Sequence, residues 1–170
     1  MVRFWDTSAL IPLVVAERAT ARAERWLRED PDVLVWTLTR VELLSALARR
    51  RREEPAAVRR LLAARREILR VWQHWSEVTA VEIVRRHAER IVETHPIRAS
   101  DALQIGAALV AAEDDPATLE FVTLDQQQAA AAEREGFRVL STDSPIETRG
   151  SLGSRCGCEG RLSALRPPAP

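Results

Sequence analysis

The 170-residue chain contains no lysine, no asparagine and no tyrosine. Its 25 basic side chains are all arginine, balanced by 25 acids to a net charge of zero. The missing lysine excludes a Walker-type phosphate loop and Schiff-base chemistry of the pyridoxal or aldolase kind. It also excludes the catalytic lysine of a kinase or a response-regulator receiver. Cysteine is scarce: Cys156 and Cys158 are the only two. A closed structural zinc site takes four ligands, and a secreted disulfide framework needs more, better-spread cysteines, so the pair reads as reduced thiols. No apolar run approaches the ~18 residues of a membrane-spanning helix. The opening MVRFWDTSAL meets an acid at Asp6, which does not suit a signal peptide. These absences place the protein in the cytoplasm, without a membrane partner.

What is present suits one domain with a sizeable core, since 46% of the residues are hydrophobic. Val2 to Trp5 reads as a short buried strand, and Ser8 to Val14 as a short helix interrupted near Pro12. Ala19 to Arg28 has Ala23, Trp26 and Leu27 on one helical face. Val33 to Trp36 is a second strand, followed by a helix from Thr39 to Arg52 with Val41, Leu44, Leu47 and Ala48 inward. Pro55 restarts the chain. Val58, Leu61, Leu62, Ile68, Leu69, Trp72 and Trp75 then recur at helical spacing. Arg65 falls inside that apolar arc and needs a partner or a path to solvent.

Glu77 to Thr79 predicts a brief strand, and Val81 to Val92 an amphipathic helix ended by Pro96. DALQIGAALVAA, from Asp101, is apolar almost all round and reads as a central buried helix. Leu119 to Thr123 is a strand, 126–135 a helix capped by Gly136, and Arg138 to Leu140 a last strand. Strands alternating with helices indicate an α/β domain with a mostly parallel sheet. The domain is expected over residues 1–147. The Gly-, Ser- and Pro-rich remainder, 148–170, reads as a disordered tail.

Four carboxylates share one kind of position. Asp6 follows the first strand and Asp125 follows LEFVT with one residue between. Glu42 stands in the first turn of its helix, and Asp101 opens the buried one. In a parallel α/β sheet, strand C-termini and helix N-termini lie along one edge. Each acid also fits a purely structural part. Thr39 with Glu42 has the form of a capping box, as does Thr79 with Glu82. Ser100 fits an N-cap with Asp101 complementing the helix dipole, Asp125 an N-cap, and Asp6 a turn with Thr7 and Ser8. Taken together, four acids with no lysine beside them repel one another, and a divalent cation relieves that. Oxygen-only ligands select Mg²⁺ or Mn²⁺ over zinc.

On these segments the chain resembles the PIN-domain family, and within it the VapC-type toxin ribonucleases. The carrying stretches are FWDTSAL with Asp6, LTRVELLSAL with Glu42, IRASDALQIGAAL with Asp101, and FVTLDQQQAAAAEREGFRVL with Asp125. The resemblance covers roughly residues 1–143. It implies a PIN-like three-layer fold with a central sheet flanked by helices. It also implies an Mg²⁺- or Mn²⁺-dependent endoribonuclease, inhibition by a small antitoxin, and a homodimer. Asp6, Glu42, Asp101 and Asp125 carry over as the acidic, metal-binding site, with Ser8 and Thr123 as polar residues beside it.

Charge is unevenly spread. Residues 49–70 hold nine arginines and three glutamates, a net of +6; residues 71–147 hold six arginines and fourteen acids, a net of −8. The basic stretch reads either as a solvated helix face or as a phosphate-binding rim beside an acidic cleft. His74, His87 and His95 sit apart from the four acids in the sequence pattern and read as surface or core-edge residues. The five tryptophans fall mostly on apolar faces. A haloacid-dehalogenase-like phosphatase would need an acid where Ser8 stands, and a lysine. A catalytically inactive PIN-like module that binds RNA or protein is the alternative, and it would be expected to have lost one or more of the acids.

Overall fold

The computed structural model describes residues 2–142. The expected boundary at 147, the expected tail 148–170 and both cysteines lie outside the described residues. Five strands form one parallel sheet: β1 (Val2–Trp5), β2 (Val33–Trp36), β3 (Ser76–Val78), β4 (Leu119–Val122) and β5 (Arg138–Leu140), in the spatial order β3-β2-β1-β4-β5. Helices α1 (Thr7–Val14), α2 (Thr20–Glu29), α3 (Thr39–Glu53) and α4 (Val58–Val71) supply one apolar layer. Helices α5 (Val81–Thr94), α6 (Ala99–Ala111) and α7 (Gln126–Arg134) supply the other. The expected PIN-like three-layer α/β architecture is the observed one.

β1 is central, and both of its faces are covered. Trp5, Val35 and Val122 turn toward α1–α4, while Phe4, Trp36 and Phe121 turn toward α5–α7. This two-sided burial explains why the strands read as short apolar runs rather than as alternating patterns. Phe4 and Phe121 are register partners on β1 and β4, and their rings stack with centroids 5.5 Å apart. Arg3 breaks the apolar run. It lies beside Glu120 on β4, donating from Nε to Oε2 at 2.7 Å, and Arg138 on β5 reaches the same carboxylate at 3.1 Å. One acid thus bridges arginines on the two strands beside it, which keeps a buried charge paired.

Several details depart from the sequence reading. α1 runs through Pro12 and stops two residues later at Val14, because so short a helix loses one bond to the missing N–H and then ends. On α3 the inward residues are Leu43 and Leu47; Val41 points out, 62% exposed. On α4 the inward row is Leu61, Ala64, Ile68 and Val71, so Arg65 is simply exposed. Neither expected capping box forms: Leu38 and Ala80 occupy the N-cap positions, without side-chain caps. The histidines do stand apart from the acids. His74 is exposed, His87 lies 3.4 Å from Asp114, and the buried His95 bonds Glu135 at 2.8 Å.

α6 and α5 approach at Gly106. A Cβ added there would lie 2.9 Å from the Val84 carbonyl oxygen and 3.3 Å from the Ala88 nitrogen, both backbone atoms. Neither can move without moving α5. Gly106→Ala is therefore expected to destabilise the fold by about 1–3 kcal/mol, the usual range for overpacking. Thermal unfolding checks it; an unchanged melting temperature would show that the two helices slide apart freely.

Candidate active site

The sheet is parallel, so every strand ends on the same edge, and four acids stand there. Asp6 is the N-cap of α1, directly after β1. Glu42 is in the first turn of α3, after β2. Asp101 is in the first turn of α6. Asp125 is the N-cap of α7, after β4. The structural alternatives are realised in part: Asp125 does cap its helix, and Asp6, read as a turn with Thr7 and Ser8, is the N-cap of α1. Asp6 Oδ2 accepts the Ser8 N–H at 2.9 Å, and Asp125 Oδ1 accepts the Gln128 N–H at 2.9 Å. Asp101 reaches back to the Arg98 N–H at 3.3 Å, and Arg98, not Ser100, holds the N-cap position.

Asp6 is only 5% exposed, and donors surround it. The Ser8 hydroxyl donates to Oδ2 at 2.5 Å and itself accepts the Leu124 N–H at 2.8 Å. The Thr123 hydroxyl lies 3.2 Å from the same Oδ2 and 2.6 Å from Gln128 Oε1. Gln128 Nε2 donates to Asp6 Oδ1 at 3.3 Å. Ser8 and Thr123 therefore do stand beside Asp6, 3.2 Å from each other.

Glu42 has its own support. The Thr7 hydroxyl donates to its Oε2, and Gln104 Nε2 donates to the same oxygen at 2.8 Å. Gln104 also bonds the Thr39 hydroxyl at 2.9 Å. These bonds fall on Oε2 alone, which leaves Oε1 outside them.

In the sequence Thr7 and Thr39 read only as turn and cap residues, and Gln104 and Gln128 do not stand out as site residues. Gln104 had a signal: it is the one uncharged polar side chain between Asp101 and the end of an otherwise apolar helix. Gln128 had none, standing last in a run of three glutamines of which it is the buried one.

Burial holds the carboxyls of Asp6, Glu42 and Asp101 above the ordinary carboxylate range. Repulsion adds to this. Asp6 and Asp101 both push Glu42 up, and Asp125 pushes Asp101 up. The four acids therefore feel one another as a single negative site. Among the described residues, no three Asp, Glu, His or Cys side chains are drawn together as they would be around one ion. The donor set is nonetheless the kind that a hard cation takes: carboxylate oxygens only, no sulfur and no imidazole. A cavity of about 460 Å³ at the opposite edge, lined by Val2, Leu34, Ala112 and Leu119, does not touch these acids.

A parallel α/β sheet with acids gathered at its carboxyl edge has the form of a hydrolytic or phosphoryl-transfer enzyme. The profile of the PIN domain family matches residues 3–149, and the chain belongs to that family. PIN domains are generally nucleases that use divalent metals. No curated protein sequence matches the chain. Among solved structures, it is similar to the crystal structure of PAE2754 from Pyrobaculum aerophilum. That protein is 19% identical, with a TM-score of 0.52 over 83% of this chain and 90% of the other. At that identity the likeness is one of fold alone.

Gln104 ties α6 to the starts of α1 and α3 through Thr7, Thr39 and Glu42, so its loss strands a buried hydroxyl. Gln104→Leu, similar in size, is expected to cost about 1–3 kcal/mol in thermal or denaturant unfolding. A variant as stable as the parent would show that water replaces the amide without loss.

Proposed function

We propose that this PIN domain is an Mg²⁺- or Mn²⁺-dependent endoribonuclease, the toxin of a VapBC-like toxin–antitoxin pair. The observation that carries the reading is the convergence of Asp6, Glu42, Asp101 and Asp125 on one sheet edge, where burial raises the carboxyl pKa of the first three. Their charge is costly to the protein alone, and a cation would relieve it. Asp6 and Asp101 are the central ligands in this reading, with Glu42 and Asp125 binding directly or through water.

A divalent ion bound there would lower the pKa of a water and neutralise charge developing on the phosphate. The chain's own residues do the rest. Ser8, Thr123 and Gln128 fix the Asp6 carboxylate against rotation. Thr7 and Gln104 hold Glu42 by Oε2, so that Oε1 is the oxygen left to face the site. A proton and a cation would compete for carboxyls whose pKa is raised, so metal affinity would rise with pH. No side-chain nucleophile is needed, and His87 and His95 are engaged elsewhere, with Asp114 and Glu135.

Asp6→Asn and Asp101→Asn should each abolish cleavage of mixed RNA in Mg²⁺ or Mn²⁺ while far-ultraviolet circular dichroism stays unchanged. Near-parental activity in either variant would remove the site assignment. The alternative, an inactive module that binds RNA or protein, draws on the open spacing of the acids. It predicts no metal-dependent cleavage by the parent itself.

The same reading includes a homodimer and a small antitoxin that lays an arginine or lysine over the acids. The apolar residues of α1 are buried, so the exposed apolar positions available beside Glu42 are Leu38 and Val41 on α3. A charge-assisted bond to a desolvated carboxylate is stronger than a neutral one. Mn²⁺ should then compete with the partner's basic residue when titrated into the preformed complex. Inhibition that survives its change to alanine would point to steric cover instead.

A further inference from the structure

Helices α3 and α4 are joined by four residues and pack as a hairpin. Nine arginines lie on it between positions 49 and 70. Three are paired: Arg50 with Glu17, Arg60 with Glu54 and Arg70 with Glu67. The other six, Arg49, Arg51, Arg52, Arg59, Arg65 and Arg66, are exposed, and among the described residues no acid lies within ion-pair distance of them. Helical geometry orders the patch. Arg52 lies nine residues beyond the inward Leu43, on the opposite side of α3. Arg59 and Arg66 are seven apart on α4, on the side away from Leu61, Ala64 and Ile68. Unpaired charge therefore faces outward from both helices.

The chemistry around the patch narrows its partner. Among the described residues, the large exposed hydrophobic ones are Val2, Leu38, Val41, Val81, Ile83 and Val92, and none lies between 49 and 70. A protein interface is built round an apolar or aromatic centre, and a membrane-binding helix needs an apolar face to insert. The stretch from 49 to 70 offers neither. Its exposed unpaired charge is mostly guanidinium, which suits the evenly spaced phosphates of a nucleic acid. The patch and the acidic edge also share a helix: Arg52 is ten residues along α3 from Glu42, about 15 Å. At roughly 3.4 Å per stacked nucleotide, that is about four nucleotides.

We propose that the outer face of the α3–α4 hairpin, through Arg52, Arg59 and Arg66, is a phosphate-tracking surface that binds single-stranded RNA a few nucleotides away from the acidic edge. The proposal extends the ribonuclease reading, on which the choice of RNA rests, and it assigns the substrate's affinity to a surface separate from its chemistry. Binding there is independent of sequence and of metal.

The test measures binding of a fluorescein-labelled single-stranded RNA to the full chain in EDTA, by anisotropy, between about 50 and 200 mM salt. The triple variant Arg52→Gln, Arg59→Gln, Arg66→Gln should bind at least about tenfold more weakly. Its slope of log affinity against log salt should be shallower by about 2, from three contacts at about 0.7 each. A control of equal charge change, Arg28→Gln, Arg85→Gln, Arg134→Gln, should keep the parental slope, and melting curves confirm that both variants fold. The proposal falls if the triple variant binds like the parent, as a patch reserved for an acidic protein would, or if the control loses as much. It also falls if the parent does not bind RNA in EDTA. If the parent binds by this patch but does not cleave RNA in either Mg²⁺ or Mn²⁺, the ribonuclease reading fails and the surface stands. Metal-dependent cleavage with no effect of the triple variant has the reverse meaning.

Discussion

A carboxylate buried at the end of the central strand is the constraint on which the rest of the site depends. Asp6 follows β1, the middle strand of the five, and it is nearly inaccessible. A buried charge must be met by donors or give up its ionisation. The chain meets it with the start of α1, with Ser8, and with Thr123 and Gln128 from the far side of β4. Those donors in turn fix where α7 begins, since Thr123 accepts the Asp125 N–H at 3.1 Å. The position of the fourth acid is thus set by the solvation needs of the first.

The same economy appears at Glu42. Its supporters, Thr7 and Gln104, belong to α1 and α6, which otherwise stand on opposite faces of the sheet. A single amide therefore ties the two layers together at the edge where the strands end. Helix capping and site construction use the same side chains here. Asking whether Asp6 or Asp125 is a cap or a functional acid sets up a false choice, because each caps a helix and also faces the edge.

Strand and helix positions were largely legible because buried parallel strands and amphipathic helices leave strong patterns: VLVW, the Ala23–Trp26–Leu27 face and the apolar α6 all fell where expected. Failures came where local spacing had to compete with tertiary packing. Val41 was expected inward because it continues an apolar stripe, yet Leu43 fills the core and Val41 faces solvent. Arg65 looked trapped because Ala64, a small residue, was not counted as the inward one. The four acids could be placed on one edge by topology alone. Their hydrogen-bond partners could not, since nothing local tells Gln128 from Gln126 or Gln127 before α7 is docked.

The chain order of the strands has a consequence in time. β1 pairs with β4, and Arg3 meets Glu120 across a sequence separation of 117 residues. During synthesis, Asp6 emerges 117 residues ahead of Thr123, with Asp125 and Gln128 later still. At roughly 5–20 residues per second, that delay is on the order of ten seconds. Until β4 slots in beside β1, the edge lacks Asp125 and two of the side chains that orient Asp6, Thr123 and Gln128. For a nuclease-type fold, this topology acts as a built-in delay: the acidic edge is complete only once the last strands and α7 have been made.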